Sequence, residues 1–393
     1  MNKNNSKNVV FLGTSLPREC GIATFTQDLL DQFAAIQGFN RPRIIAVNDN
    51  ESYSYGEQVI HQVDQHSLPD YLEAADLLNL SDTNLLVIQH EFGIYGGESG
   101  EYLLPFVERL NIPYLVVFHT VLTEPSRKQR LIMRKLAETS VRVVTMAQST
   151  VHDLHTIYGI DKDKIAFVHH GVPYVETKSR LELKAQYGFT DRKILSTFGF
   201  LSPGKGIEYG IEAMQGVIAK HPESLYIIWG KTHPVVKREV GEVYRQKLTA
   251  LVELLGLNNN VLFVDRLLTQ EEVIQSLVMS DIYMTPYLGK DQAVSGTLAY
   301  GVGYGRVIVS TPYRYAMEML AGGRGLLAGF HDSASLEDCI LQLLGNPDLI
   351  TEMEARTLEL GTTMMWSEIA KRYAALFEES ISSAATLSNR SVI

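Results

Sequence analysis

Cysteine is nearly absent from the chain: Cys20 and Cys339 are its only two, far apart and in neither a metal-ligand nor a redox spacing. An excess of positive charge is also lacking. The formal net charge is -10, which argues against a general nucleic-acid binder. Long apolar runs are missing too. No stretch approaches the roughly 20 residues of a membrane span, and the run at 9–12 is too short for a secretory signal. The cytoplasm is the expected compartment. No G-x-G-x-x-G follows the first strand pattern and no serine nucleophile elbow is present, so hydride transfer and acyl hydrolysis lose support. His169 and His170 are adjacent in an extended segment and point opposite ways. No carboxylate or cysteine pattern completes a site around them, so no metal is expected.

What is present fits a two-domain α/β protein. A chain of 393 residues exceeds what one core usually holds. Short, mostly apolar runs at 9–12, 43–47, 84–89, 114–118 and 141–146 read as buried strands. Helical patterns at about 23–33, 71–78 and 100–110 lie between them. A second series follows residue 173, with strands at 194–198, 225–229, 261–264, 282–285 and 307–310. Its helices fit 208–219, 237–255, 270–279 and 336–344. The expected division is residues 1–173, residues 174–365, and a last helix at 366–379 packing back towards the first domain, with a mobile tail from Ser380. Both domains read as Rossmann-like, doubly wound parallel sheets facing a cleft.

Chemistry concentrates in the loops after these strands. Residues 197–208 read Thr-Phe-Gly-Phe-Leu-Ser-Pro-Gly-Lys-Gly-Ile-Glu: a strand end, a glycine-rich loop carrying Lys205, then a helix start. Glycines admit a phosphate close to the backbone, helix N–H groups face it, and lysine adds a point charge. A plain strand-to-helix turn with a solvated lysine is the other reading, and the spacing is not that of a Walker A loop. Residues 280–311 repeat the theme, with Asp291, Gln292, Ser295, Gly296 and Thr297 around a helix start that Ser295 caps. Tyr287 and Tyr300 read as packing residues or ligands. In the first domain, His90 and Glu91 open the loop that runs to Gly96-Gly97, and His119 ends a neighbouring strand. All three suit a sugar hydroxyl or proton transfer, although a strand-end histidine is more often structural. Arg127, Arg130 and Arg134 recur at helical spacing beside Leu131, Ile132 and Leu136. That fits either a solvated helix or peripheral contact with an anionic membrane.

Gly199-Phe-Leu-Ser-Pro-Gly-Lys-Gly-Ile-Glu208 resembles the donor loop of the retaining GT-B glycosyltransferases of family 4. Val261 to Leu268 and Ser280 to Pro286 resemble that family's base-binding strand and the strand before its donor loop. Val168-His-His-Gly-Val172 resembles its interdomain segment, and Pro17 to Thr26 and His90 to Gly97 resemble first-domain loops of a bacterial subgroup. The resemblance implies transfer of a sugar from a nucleotide-diphosphate donor to a carbohydrate or lipid-linked acceptor, with retention and no tightly bound cofactor. It implies that Lys205 and the N–H groups at Ser295, Gly296 and Thr297 stabilise the leaving diphosphate. Gly21 and Gly199 would give close backbone approach, Leu267 and Leu268 would contact the base, and His119 would contact the donor sugar. GDP-mannose, UDP-glucose and UDP-GlcNAc all fit such a loop. Three departures stand out. The family's paired glutamates fall on Gln292 and Tyr300, which then become the candidates for the donor ribose, and its loop arginine falls on Phe200. A GT-B phosphorylase, an epimerase and a non-catalytic sugar-nucleotide-binding protein are the alternatives.

Overall fold

The computed structural model describes residues 6–49 and 51–390. The chain divides into two compact units. Unit 1 holds the residues up to Gly171 and those from Trp366 onward; unit 2 runs from Val172 to Met365.

Unit 1 is built on seven parallel strands: β1 (Val9–Gly13), β2 (Arg43–Asn48), β3 (Val59–Asp64), β4 (Leu85–His90), β5 (Tyr114–Phe118), β6 (Arg142–Thr145) and β7 (Ile165–Phe167). Their order is β3-β2-β1-β4-β5-β6-β7. β1 pairs with both β2 and β4, Val10 lying opposite Arg43 on one side and Leu86 on the other. The central strands are buried along their whole length, as continuous apolar runs demand when both faces of a sheet are covered. The sequence pattern missed β3 and β7. β3 is half polar (His61, Gln62 and Asp64) and β7 is three residues long, and both lie at sheet edges, where no continuous apolar run is needed.

The helix Trp366–Arg390 completes unit 1 and runs on past Glu379, where the sequence pattern ends it. Of the tail expected to be mobile from Ser380, residues 380–390 continue the helix, and the rest lies outside the described residues. Phe377 of this helix stacks on Phe33 at 5.5 Å and meets Phe11 of β1 edge-on at 6.1 Å. Trp366 at its start is buried against Phe25, with ring centroids 5.0 Å apart. A Cβ on Gly171 would come within 2.2 Å of the Trp366 ring, so only glycine fits there.

Unit 2 carries six parallel strands: β8 (Lys193–Phe198), β9 (Ser224–Trp229), β10 (Val261–Val264), β11 (Ile282–Thr285), β12 (Ile308–Ser310) and β13 (Gly325–Leu327). Their order is β10-β9-β8-β11-β12-β13. β13, three residues at an edge, escaped the sequence pattern for the same reason as β7. The helix expected over 237–255 is two, Pro234–Val240 and Val243–Leu254. They are broken at Gly241, whose φ of 68° is the left-handed region that glycine enters without cost.

In both sheets the first strand lies in the interior and the chain winds outward from it in two directions. The switch points fall between β1 and β4 in unit 1, and between β8 and β11 in unit 2. Loops leaving neighbouring strands there diverge to opposite sides and open a crevice at the carboxyl ends, where ligands of such sheets bind.

Candidate functional site

The unit 2 switch point brings together two loops that are far apart in sequence. After β8 the backbone turns at Gly199 (φ 127°), passes a single 3-10 turn at Pro203–Lys205, and enters the helix Ile207–Lys220 through Gly206 (φ 59°). After β11 it runs through Tyr287 to the helix Gly296–Gly303, which Ser295 caps by accepting a hydrogen bond from the Leu298 N–H. The loops are pinned to each other. Leu288 N donates to the Gly204 carbonyl at 2.9 Å, and a Cβ built on Gly199 would lie 3.4 Å from the Thr297 methyl. A Cβ on Gly206 would sit 2.2 Å from the Pro286 carbonyl oxygen. We therefore expect Gly206→Ala to push the loops apart, at about 1–2 kcal/mol for the left-handed conformation alone plus the clash. A variant that melts and binds nucleotide like the parent contradicts this.

Lys205 closes the 3-10 turn of the first loop and reaches across to the second. Its Nζ lies 3.8 Å from the ring centroid of Tyr287, a cation–π contact. Among the described residues no carboxylate lies within ion-pair distance of it. Tyr287 is buried, stacks on Tyr313 at 5.5 Å, and shares a 2.7 Å hydrogen bond with the Thr297 hydroxyl. Thr297 in turn lies 3.1 Å from Ser295 Oγ. Tyr287 thus links the cation to the helix start, a role that packing statistics alone did not suggest. The Lys205 charge reaches His233, whose pKa burial lowers first and Lys205 lowers further. His233 packs edge-on to Phe200, which stands where a donor-loop arginine was expected.

Gly230, directly after β9, was also not anticipated. Its φ is 129°, and a Cβ there would meet the Gly199 carbonyl oxygen at 2.2 Å. A glycine immediately after a buried strand, in Trp229-Gly-Lys, was the available signal. The other expected positions spread outward. Gln292 Nε2 donates to the Val294 carbonyl at 3.0 Å, and Tyr300 lies one turn into the helix beside Phe198, with centroids 6.2 Å apart. Leu267, exposed, and Leu268, half-buried, follow β10, two strands away from β8.

The unit 1 switch point holds Gly21, Glu91 and His119. Gly21 is exposed and opens the helix Gly21–Gln32, with nothing within 4 Å of where its Cβ would stand. His119 lies 2.7 Å from Gln89 Oε1 through Nε2 and packs edge-on to Phe25. Burial is the main cause that lowers its pKa to about 3, so the ring is neutral near pH 7 and is no proton donor there. Glu91 accepts from Phe92 N at 2.9 Å and from the Thr120 hydroxyl at 2.5 Å, and burial raises its pKa.

Two sequence expectations are corrected. His90 is fully buried between Phe92, Tyr95 and Phe118, so its ring does not present itself to a sugar. Neither ring nitrogen reaches a partner in another residue, and burial lowers its pKa to about 3. The folded pKa is depressed, so the unfolded chain takes up a proton between about pH 6.5 and 3 that the folded chain does not. Stability is therefore lost as pH falls through that window. From about pH 7.5 to 5 the loss attributable to His90 is roughly 2 kcal/mol at ~1.4 kcal/mol per pH unit below 6.5. His90→Phe is expected to remove that part of the acid sensitivity in urea unfolding; an unchanged pH slope contradicts it. The second correction concerns the helix Arg127–Thr139. Its apolar face (Ile132, Met133, Leu136 and Ala137) is buried in the unit 1 core, and Lys128 bonds Glu98 and Glu101 at 2.8 and 2.6 Å. Arg127, Arg130 and Arg134 thus adjoin a single exposed large apolar side chain, Leu131, and no apolar face to enter a membrane. No described helix is long and apolar enough to cross one.

Two family models match the chain. Residues 20–174 match the model described as Glycosyltransferase Family 4, and residues 192–346 match Glycosyl transferases group 1. No curated protein matches. Among solved structures, Anabaena HepE in complex with UDP and glucose is 14% identical, with a TM-score of 0.75 over 95% of this chain and 100% of its own. A glycosyltransferase from Rickettsia africae gives 16% identity and 0.75 over 95% and 99%. Sucrose-phosphate synthase from Thermosynechococcus elongatus gives 14% and 0.75 over 96% and 100%. The fold is that of the GT-B glycosyltransferases, and the two matched domains support glycosyl transfer.

Proposed function

We propose, for a chain whose two units match glycosyltransferase models, that it transfers a sugar from a nucleotide-diphosphate donor to a carbohydrate or lipid-linked acceptor, with retention at the anomeric carbon. The observation that carries this reading is the convergence of Gly199, Lys205 and the Ser295–Thr297 helix start at the unit 2 switch point. That crevice offers an ammonium group with no carboxylate partner among the described residues and the free N–H groups of a helix start. Both favour the charge that grows on a departing diphosphate. Because Tyr287 holds the cation in advance, no reorganisation is needed as the bond breaks. No protein nucleophile is required.

In this reading Leu267 and Leu268 contact the base, and Gln292 Oε1, with its amide nitrogen tied to Val294, accepts from the ribose, with Tyr300 beside it. His119 contributes hydrogen bonding to the donor sugar as a neutral ring, and Glu91 receives a sugar hydroxyl. Gly21 gives close approach to its helix start. The reaction belongs in the cytoplasm, where nucleotide sugars are made. HepE has been crystallised with UDP and with UDP-glucose, which makes a uridine donor the first to try.

The test is a panel of UDP- and GDP-sugars with simple glycoside acceptors, the product anomer being read by NMR. One donor is expected to react with retention; an inverted product sinks the stereochemical part. A second reading, a binding protein without transfer, draws on the absence of a ribose carboxylate at Gln292 and Tyr300. Nucleotide binding with neither transfer nor slow donor hydrolysis favours it.

A further inference from the structure

The opposite ends of the same two strands carry a second concentration of charge. β8 begins at Lys193 and β11 follows directly on Asp281, so this region lies at the amino ends of the strands whose carboxyl ends feed the donor loops. Six residues of strand separate the two places by about 20 Å. An open pocket of about 440 Å³ lies there, a size that suits a small metabolite.

Four cations line it, Arg180, Lys184, Arg192 and Lys193, against two carboxylates, Asp191 and Asp281, an excess of two positive charges (4 - 2). Among the surrounding carboxylates, Glu223 feels the Lys193 charge but forms no ion pair with it. Glu354 pairs with Arg180 but is shared with Arg306 at 3.5 Å, so that pair adds no net charge. Arg306 is itself held down to about 10, by burial first and by the Arg180 charge next. The fold uses some of these groups and leaves others open. Lys184 is committed to Asp281 at 2.6 Å and to the Arg192 carbonyl at 2.9 Å. Arg192 has only neutral partners, the Ser224 and Asn259 carbonyls at 3.1 and 2.8 Å, so no carboxylate answers its charge. The Nε atoms of both Arg180 and Arg192 are buried without a hydrogen-bond partner. Lys193 is exposed and makes no ion pair among the described residues. A half-buried guanidinium answered only by carbonyls, beside an unpaired lysine and an open cavity, leaves charge that an anion would complete.

We propose that this pocket is a second anion site, separate from the donor loops, that takes a small phosphate-bearing dianion such as a phosphomonoester or diphosphate. Arg192 supplies a planar, multi-donor contact and Lys193 a flexible charge at the mouth. Thr190 contributes a hydroxyl at the rim. A ligand here acts on the start of β8 and β11 and so has a direct structural route to the loops at their far ends.

Titration calorimetry of the full chain with pyrophosphate tests the proposal. Lys205→Ala serves as background, because it removes the donor-site cation. Binding is expected to persist in Lys205→Ala and to weaken at least tenfold when Lys193→Glu is added. Arg192→Lys, which keeps the charge but loses the fork, is expected to weaken it several-fold. Lys193 is exposed, so Lys193→Glu should melt like the parent, and a loss of affinity in it reports on the pocket rather than on folding. Three results overturn the proposal: no pyrophosphate binding in Lys205→Ala, affinity unmoved by Lys193→Glu, or an equal loss in Lys220→Glu, which lies outside the pocket.

Discussion

Lys205→Ala is expected to lower kcat/KM for sugar transfer by about 100- to 1,000-fold, the usual cost of removing one preorganised donor from a developing anion. Its melting temperature should stay close to that of the parent. The side chain makes one aromatic contact and no ion pair among the described residues, so little stability is lost with it. The effect should fall on kcat more than on KM if the charge acts mainly on the departing diphosphate. Transfer at the parental rate would remove Lys205 from the chemistry, and a melt lowered by many degrees would mark it as structural. Tyr287→Leu, which takes away the ring beneath the cation, should move activity in the same direction by a smaller factor.

The second large effect concerns stability. Trp366→Ala is expected to cost about 3–5 kcal/mol, the range for truncating a large buried aromatic side chain. Trp366 is 2% exposed. It packs against Phe25 and fills the space that Gly171 leaves, and its indole N–H reaches Asp28 at 3.2 Å. The residue lies at the start of the helix that returns to unit 1, so the loss should appear in unit 1. Denaturant unfolding is the measurement, and a cost below 1 kcal/mol would show that the helix start is not held by this contact.

The sequence made the interiors of both sheets legible because parallel strands covered on two faces are apolar along their length. The edges were hidden for the converse reason. β3 gives three of its six positions to polar residues, and β7 and β13 are three residues long. Gly241 broke a helix that amphipathic periodicity alone carried through. At the site, Lys205 and Ser295 could be read because glycine-rich loops and helix caps leave local signatures. The coupling of Lys205 to Tyr287 and Thr297 could not, since it joins residues of two loops that only the strand order β8-β11 brings together. His90 shows the limit from the other side. Its place at the end of β4 is what a ligand residue would have, yet the ring turns into a sheath of three aromatic rings. Direction at a strand end is set by tertiary packing.

Nucleoside diphosphate binding to the parent and to Lys205→Ala, measured by calorimetry and compared with the monophosphate, tests the central claim most directly. UDP or GDP is expected to bind well above the matching monophosphate. Lys205→Ala is expected to erase most of that difference while leaving the monophosphate unaffected. Equal binding of monophosphate and diphosphate by the parent, or a diphosphate preference that survives Lys205→Ala intact, would contradict it.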